Sequence, residues 1–111
     1  MERAIPTLGP IFKKALDAGL RMPLGTDAVA GAHGQNAREA VARVNAGQFP
    51  IGALISATSL AAESLGLKTS LGRLAPGYLA DIIAVSGDPS QDIAMLRSVT
   101  FVMAQGRVVS Q

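Results

Sequence analysis

Leu20-Arg21-Met22-Pro23-Leu24-Gly25-Thr26-Asp27 is the stretch on which the fold turns. Residues 20–24 are short and mostly apolar, and Gly25-Thr26-Asp27 is a polar stop. An apolar run bounded by turn residues predicts a buried β-strand over 20–24. Pro23 counts against an interior strand, because it has no N–H to give to a ladder. On the N-terminal side, Ile5, Leu8, Ile11, Phe12, Ala15 and Leu16 recur at helical spacing. They predict a helix over residues 10–18, or one starting a turn earlier, with Pro10 in the first turn and Gly19 after the end. On the C-terminal side, residues 28–35 are small and loop-like. A helix then starts at Asn36, where Glu39 completes a capping-box pattern, and Gly47 ends it. A lone strand between helices has two unpaired edges and no sheet to join. The first half therefore reads as a slice of an α/β structure whose other strands lie elsewhere.

Further along, Pro50 opens a helix carrying Ile51, Leu54 and Ile55. Thr58-Ser59 marks a cap or break, and a short helix follows with Leu60, Ala61 and Leu65, stopping at Gly66. From Leu71 the pattern changes. Leu71-Gly72-Arg73-Leu74 is strand-like, and Pro76-Gly77 signals a type II turn. Residues 80–85 are β-rich and end at Gly87-Asp88-Pro89. Ile93, Leu96 and Arg97 suit a helical turn. Residues 99–103 and 107–109 are β-rich runs around Gln105-Gly106, which reads as a tight hairpin.

Composition narrows the function classes. The chain has 111 residues, 49% hydrophobic and 16% charged, so it is neither intrinsically disordered nor collagen-like. Its net charge of +2 and 4% aromatics give no basic or stacking surface for nucleic acid. The uncharged stretch 49–62 is shorter than the roughly 20 residues that cross a bilayer, so no membrane partner is expected. No long apolar core follows the basic start, so no signal peptide is expected there. The compartment stays open, with the cytoplasm as default. With no Cys and one His, disulfides, thiolate sites and multi-histidine metal centres cannot be built from these residues alone. Gly31-Ala32-His33-Gly34 lacks both the glycine spacing and the Lys-Ser/Thr ending of a phosphate loop.

Gly25-Thr26-Asp27-Ala28 followed by His33-Gly34-Gln35-Asn36-Ala37-Arg38-Glu39 resembles the end of the barrel in metal-dependent amidohydrolases. The nearest subgroup is the imidazolonepropionase-like one that includes Xaa-Pro dipeptidases. Residues 57–67 resemble that family's next helix. Residues 71–85 resemble its return to a small β domain, and Gly87-Asp88-Pro89 with Gly106-Arg107-Val108-Val109 continues the likeness. Leu60 departs from it, standing where the family often has Asn, and Pro23 interrupts the barrel strand.

The resemblance implies an α/β fold: the last βα part of a (β/α)₈ barrel over residues 1–70, then C-terminal strands of a composite β-sandwich over 71–111. As a stand-alone fold this is incomplete, since a whole barrel takes about 250 residues. By the same resemblance Asp27 binds a divalent metal, zinc being the expectation, and takes a proton from the attacking water. From local residues alone, Asp27 reads as a turn or helix cap. His33 sits in a loop that the resemblance puts at the active-site mouth, where it would contact substrate; otherwise it is a solvated loop histidine. Arg38 and Glu39 read as helix-start residues, and Ala80-Asp81 as structural. The family's His-x-His pair, its carboxylated Lys or Glu, and its later histidines are absent. Hydrolysis of an amide or peptide-like C–N bond in a small or dipeptide-like substrate is thus expected of an intact parent. This chain alone should be inactive and hold no metal tightly. The alternative is a non-catalytic α/β module, or truncated product, that oligomerises or binds a partner through its strand at 20–27.

Overall fold

The computed structural model describes residues 5–27 and 33–111, with the backbone alone for 5–8. Four α-helices come first: α1 (Ile5–Asp17), α2 (Ala37–Asn45), α3 (Pro50–Ala57) and α4 (Ser59–Ser64). Three strands follow, β1 (Ile82–Val85), β2 (Val99–Ala104) and β3 (Arg107–Ser110), with a 3₁₀ turn at Ile93–Arg97 before β2. No helix among the described residues is long and apolar enough to cross a membrane.

The helix boundaries follow from local chemistry. Pro50 occupies the first turn of α3, where its missing N–H would have had no partner in any case. Helices α1, α2 and α4 each run into a glycine on left-handed backbone: Gly19 (φ 77°), Gly47 (φ 118°) and Gly66 (φ 74°). At each, two N–H groups turn back to the last carbonyls, as in Gly66 to Glu63 (3.0 Å) and Leu67 to Ala62 (2.9 Å). Thr58 separates α3 from α4 with φ −123° and ψ −92°, and its hydroxyl donates to the Leu54 carbonyl at 2.6 Å.

Four expectations are corrected. Helix α1 starts at Ile5, so Pro10 lies inside it; Pro6 takes the first turn instead. The Asn36–Glu39 capping box does not form: Asn36 has helical backbone and its side chain caps nothing. The Glu39 carboxylate pairs with Arg43 one turn later, at 3.5 Å. Residues 71–74 form bends rather than a strand. The Leu71 N–H donates to the Leu67 carbonyl as in a helical turn, and Gly72 then reverses the chain at φ 89°. Residues 20–24 belong to no strand, for a reason that becomes plain at the site.

The sheet is antiparallel in the order β1-β2-β3. Gln105 (φ 51°) and Gly106 (φ 79°) join β2 to β3, the two-residue hairpin in which both residues take positive φ. Residues 80–81 brace it from the side: Gly106 donates to the Ala80 carbonyl (3.0 Å) and Gln105 to the Asp81 carboxylate (2.8 Å). The Pro76-Gly77 turn also forms, closed by Tyr78 N–H to Ala75 O at 3.2 Å.

The core is small. Ala40 of α2, Ala53 of α3 and Ile93 of the 3₁₀ turn are buried together, flanked by Leu24, Val41, Val44, Leu54 and Leu96. Residues on both sides of position 70 therefore share one core. None of the described large side chains is fully buried. The chain exposes 7873 Å², against about 5,800 Å² for a compact monomer of its mass. Its radius of gyration is 14.7 Å, where about 13 Å is usual. Phe49, Leu65 and Leu74 are each more than two-thirds exposed.

Candidate functional site

Segment 20–27 leads from the end of α1 to Asp27. It is held by individual hydrogen bonds in place of a ladder. The Leu24 N–H donates to the carbonyl of buried Ser56 in α3 at 2.9 Å. Arg43 of α2 donates one Nη to the Met22 carbonyl at 2.7 Å and the other to the Pro23 carbonyl at 2.8 Å. In a regular strand, successive residues alternate in direction, so one guanidinium could not take two consecutive carbonyls. Pro23, with its fixed φ and missing N–H, breaks the pleat and lets both face the same fork.

Arg43 is itself fixed on two further sides. Its side chain is 11% exposed, its Nε faces the Glu39 carboxylate, and its guanidinium lies 5.1 Å from the centre of the Phe12 ring. Stacking on an aromatic face and two charge-assisted bonds suit a planar guanidinium far better than an ammonium. Sequence reasoning missed this residue, which reads as a cation in the last turn of a helix. The signal that could have found it is Pro23: a strand that cannot ladder needs donors from elsewhere.

Asp27 ends the segment on left-handed backbone (φ 49°) and is exposed. For a non-glycine residue this conformation is uncommon, and Asp is among the residues that tolerate it. His33 is exposed in a turn just before α2. Residues 28–32, which join the two, lie outside the described residues. No group of three His, Cys, Asp or Glu side chains able to hold a metal occurs among the described residues. Arg38 donates to the Gln35 side chain at 2.9 Å, in keeping with a place at the helix start.

A cleft of about 1110 Å³ opens beside this segment. Leu24, Leu54, Ile83, Val85 and Val99 give it apolar walls, and residues 34–38 form its rim. Asp27 and His33 are not among its lining residues, but their neighbours Leu24 and Gly34 are. A second, smaller cleft holds the Arg21–Glu63 pair, whose two bonds join the end of α1 to α4. The Arg21 hydrogen bond holds the Glu63 carboxyl below its ordinary value.

The model of the amidohydrolase family matches residues 10–109. The chain belongs to the amidohydrolase family. Among curated relatives, the ochratoxinase of Aspergillus niger is 35% identical over 102 aligned positions, covering 87% of this chain and 21% of the relative. Among solved structures, an Xaa-Pro dipeptidase with methionine bound in its active site is 37% identical with a TM-score of 0.91, over 96% of this chain and 26% of that one. A prolidase complexed with N-methylphosphonate-L-proline is 28% identical with a TM-score of 0.84, over 93% of this chain and 26% of that one. The chain thus spans a fifth to a quarter of the amidohydrolases it matches. Those neighbours are barrel proteins, and this α/β piece corresponds to part of them.

Proposed function

We propose that these residues are the C-terminal portion of a metal-dependent amidohydrolase, 1–70 closing the barrel and 71–111 adding strands to the β-sandwich. The observation that carries this reading is the placement of Asp27. It is an exposed carboxylate on left-handed backbone (φ 49°), at the end of the segment that follows α1. Ends of strands that open into loops are where barrel enzymes keep their reactive groups. The likeness to Xaa-Pro dipeptidase and prolidase structures supports an amide or dipeptide-like substrate, cleaved at its C–N bond.

The residues present do not fit a complete metal site. One carboxylate and one imidazole fall short of the three or four ligands a catalytic zinc takes, and no third donor gathers with them among the described residues. Asp27 is therefore a contribution to a site that the rest of the parent completes, as a ligand and as acceptor of the proton from water. When bound there, the metal would supply the acidity that makes water a nucleophile near neutral pH. His33 approaches the substrate from the loop, and hydrolysis by the isolated chain is not expected.

The test is turnover of Xaa-Pro dipeptides by the full-length protein that carries these residues. Asp27→Asn should lower kcat by about 10²–10⁴-fold, the usual worth of a positioned proton acceptor; unchanged kcat would sink the assignment. A second reading is favoured by the surplus of exposed surface. In it the chain is a non-catalytic module that buries this surface against a second copy.

A further inference from the structure

We infer that the smaller cleft, between Arg21, α4 and residues 68–78, is a binding site for a small phosphate-class dianion. Asp27 and His33 do not line it, so the inference stands apart from the reading of those residues. The cleft has a volume of about 540 Å³, and Arg21, Glu63, Lys68, Thr69, Arg73 and Tyr78 are among its walls. Three cations and one carboxylate leave two positive charges unbalanced there. Arg21 commits both its Nη groups to Glu63. The side chains of Lys68, Thr69 and Arg73 make no hydrogen bond or ion pair among the described residues. The stretch that carries them is nonetheless pinned. The Tyr78 hydroxyl donates to the Lys68 carbonyl at 2.9 Å, and the Leu79 N–H to the Ser70 carbonyl at 2.9 Å. Backbone held in this way loses little freedom when a ligand arrives. An ammonium, a guanidinium and a hydroxyl from separate residues suit a group with three or four acceptor oxygens better than a planar carboxylate with two.

The experiment titrates inorganic phosphate into the full-length protein that carries these residues, followed by calorimetry and melting temperature, with chloride at matched ionic strength as the reference. Phosphate should bind one-to-one and raise the melting temperature, as a ligand of the native state does, and chloride should do neither. Lys68→Gln and Arg73→Gln should each weaken binding about tenfold or more, the usual worth of a hydrogen bond to a charged group. Glu63→Gln should tighten it, because the opposing carboxylate is gone and Arg21 is released; a loosened fold could not produce that gain. Lys14→Gln, the same charge change at an exposed position of α1, should leave the affinity as it was. Binding no stronger than the chloride reference overturns the inference. So does an unchanged affinity in either Lys68→Gln or Arg73→Gln, an equal loss in Lys14→Gln, or weaker binding by a folded Glu63→Gln protein.

Discussion

Asp88 shows how a single exposed carboxylate ties down a loop. Its Oδ1 accepts from the Ser90 hydroxyl at 2.6 Å and from the Ser90 N–H at 2.9 Å. Those bonds, the hydroxyl first, hold its carboxyl below the ordinary value. A depressed carboxyl adds stability above its unfolded value, and that stability is lost as pH falls through the folded one. Ser90→Ala should therefore raise the Asp88 titration midpoint toward the ordinary value, read directly by carboxyl-carbon NMR. Glu63 obeys the same sign, its main cause being the hydrogen bond from Arg21. Asp27 stood out in the sequence through the family resemblance that Gly25-Thr26-Asp27-Ala28 and the residues after it carry. Arg43 did not, since nothing in a nine-residue amphipathic helix announces that its cation reaches back to residues 22 and 23. Long-range hydrogen bonds leave no local periodicity.

Among the elements, those governed by neighbours in the sequence were legible. Helix ends at Gly19, Gly47 and Gly66 follow from the glycines themselves, and the Gln105-Gly106 turn from its residue types. The failures lie where tertiary partners decide. Residues 20–24 read as a strand, but a strand exists only with a ladder, and none forms there among the described residues. Residues 71–74 read as strand-like, yet they wrap against the α3–α4 junction at Gly72. Gly72 makes that wrap possible. A Cβ there would meet the Thr58 carbonyl oxygen at 2.7 Å and the Ala62 Cβ at 3.0 Å, on backbone at φ 89°. Gly72→Ala should accordingly cost about 1–3 kcal/mol, measurable as a lower denaturation midpoint. Gly77→Ala, with open space around its Cβ, should cost less, because only the backbone strain remains.

The molecule as a whole exposes roughly 2,000 Å² more than its mass requires, with several large apolar side chains in the open. That excess is more than twice the roughly 800 Å² that each partner buries in a standard protein–protein interface. The purified 111-residue chain should self-associate in a concentration-dependent way, seen by light scattering coupled to size exclusion. A monodisperse, cooperatively melting monomer would contradict this. The same chain should show no micromolar one-to-one binding of zinc by calorimetry, because one Asp and one His make an incomplete ligand set; the full-length protein should bind it.

The Arg43 fork has a consequence for how such a site can diversify. It grips the chain at Met22 and Pro23 from 21 and 20 positions further on, so the intervening stretch of sequence is closed at its base by this contact. For a flexible loop, doubling its length costs only about 0.6 kcal/mol. Insertions or deletions between Gly25 and Asn36 can then reshape the border of the cleft while the stem beneath Asp27 stays where it is. Variation in loop length among related sequences should concentrate there, and the pairing of an arginine in α2 with a proline before Gly-Thr-Asp should persist through it.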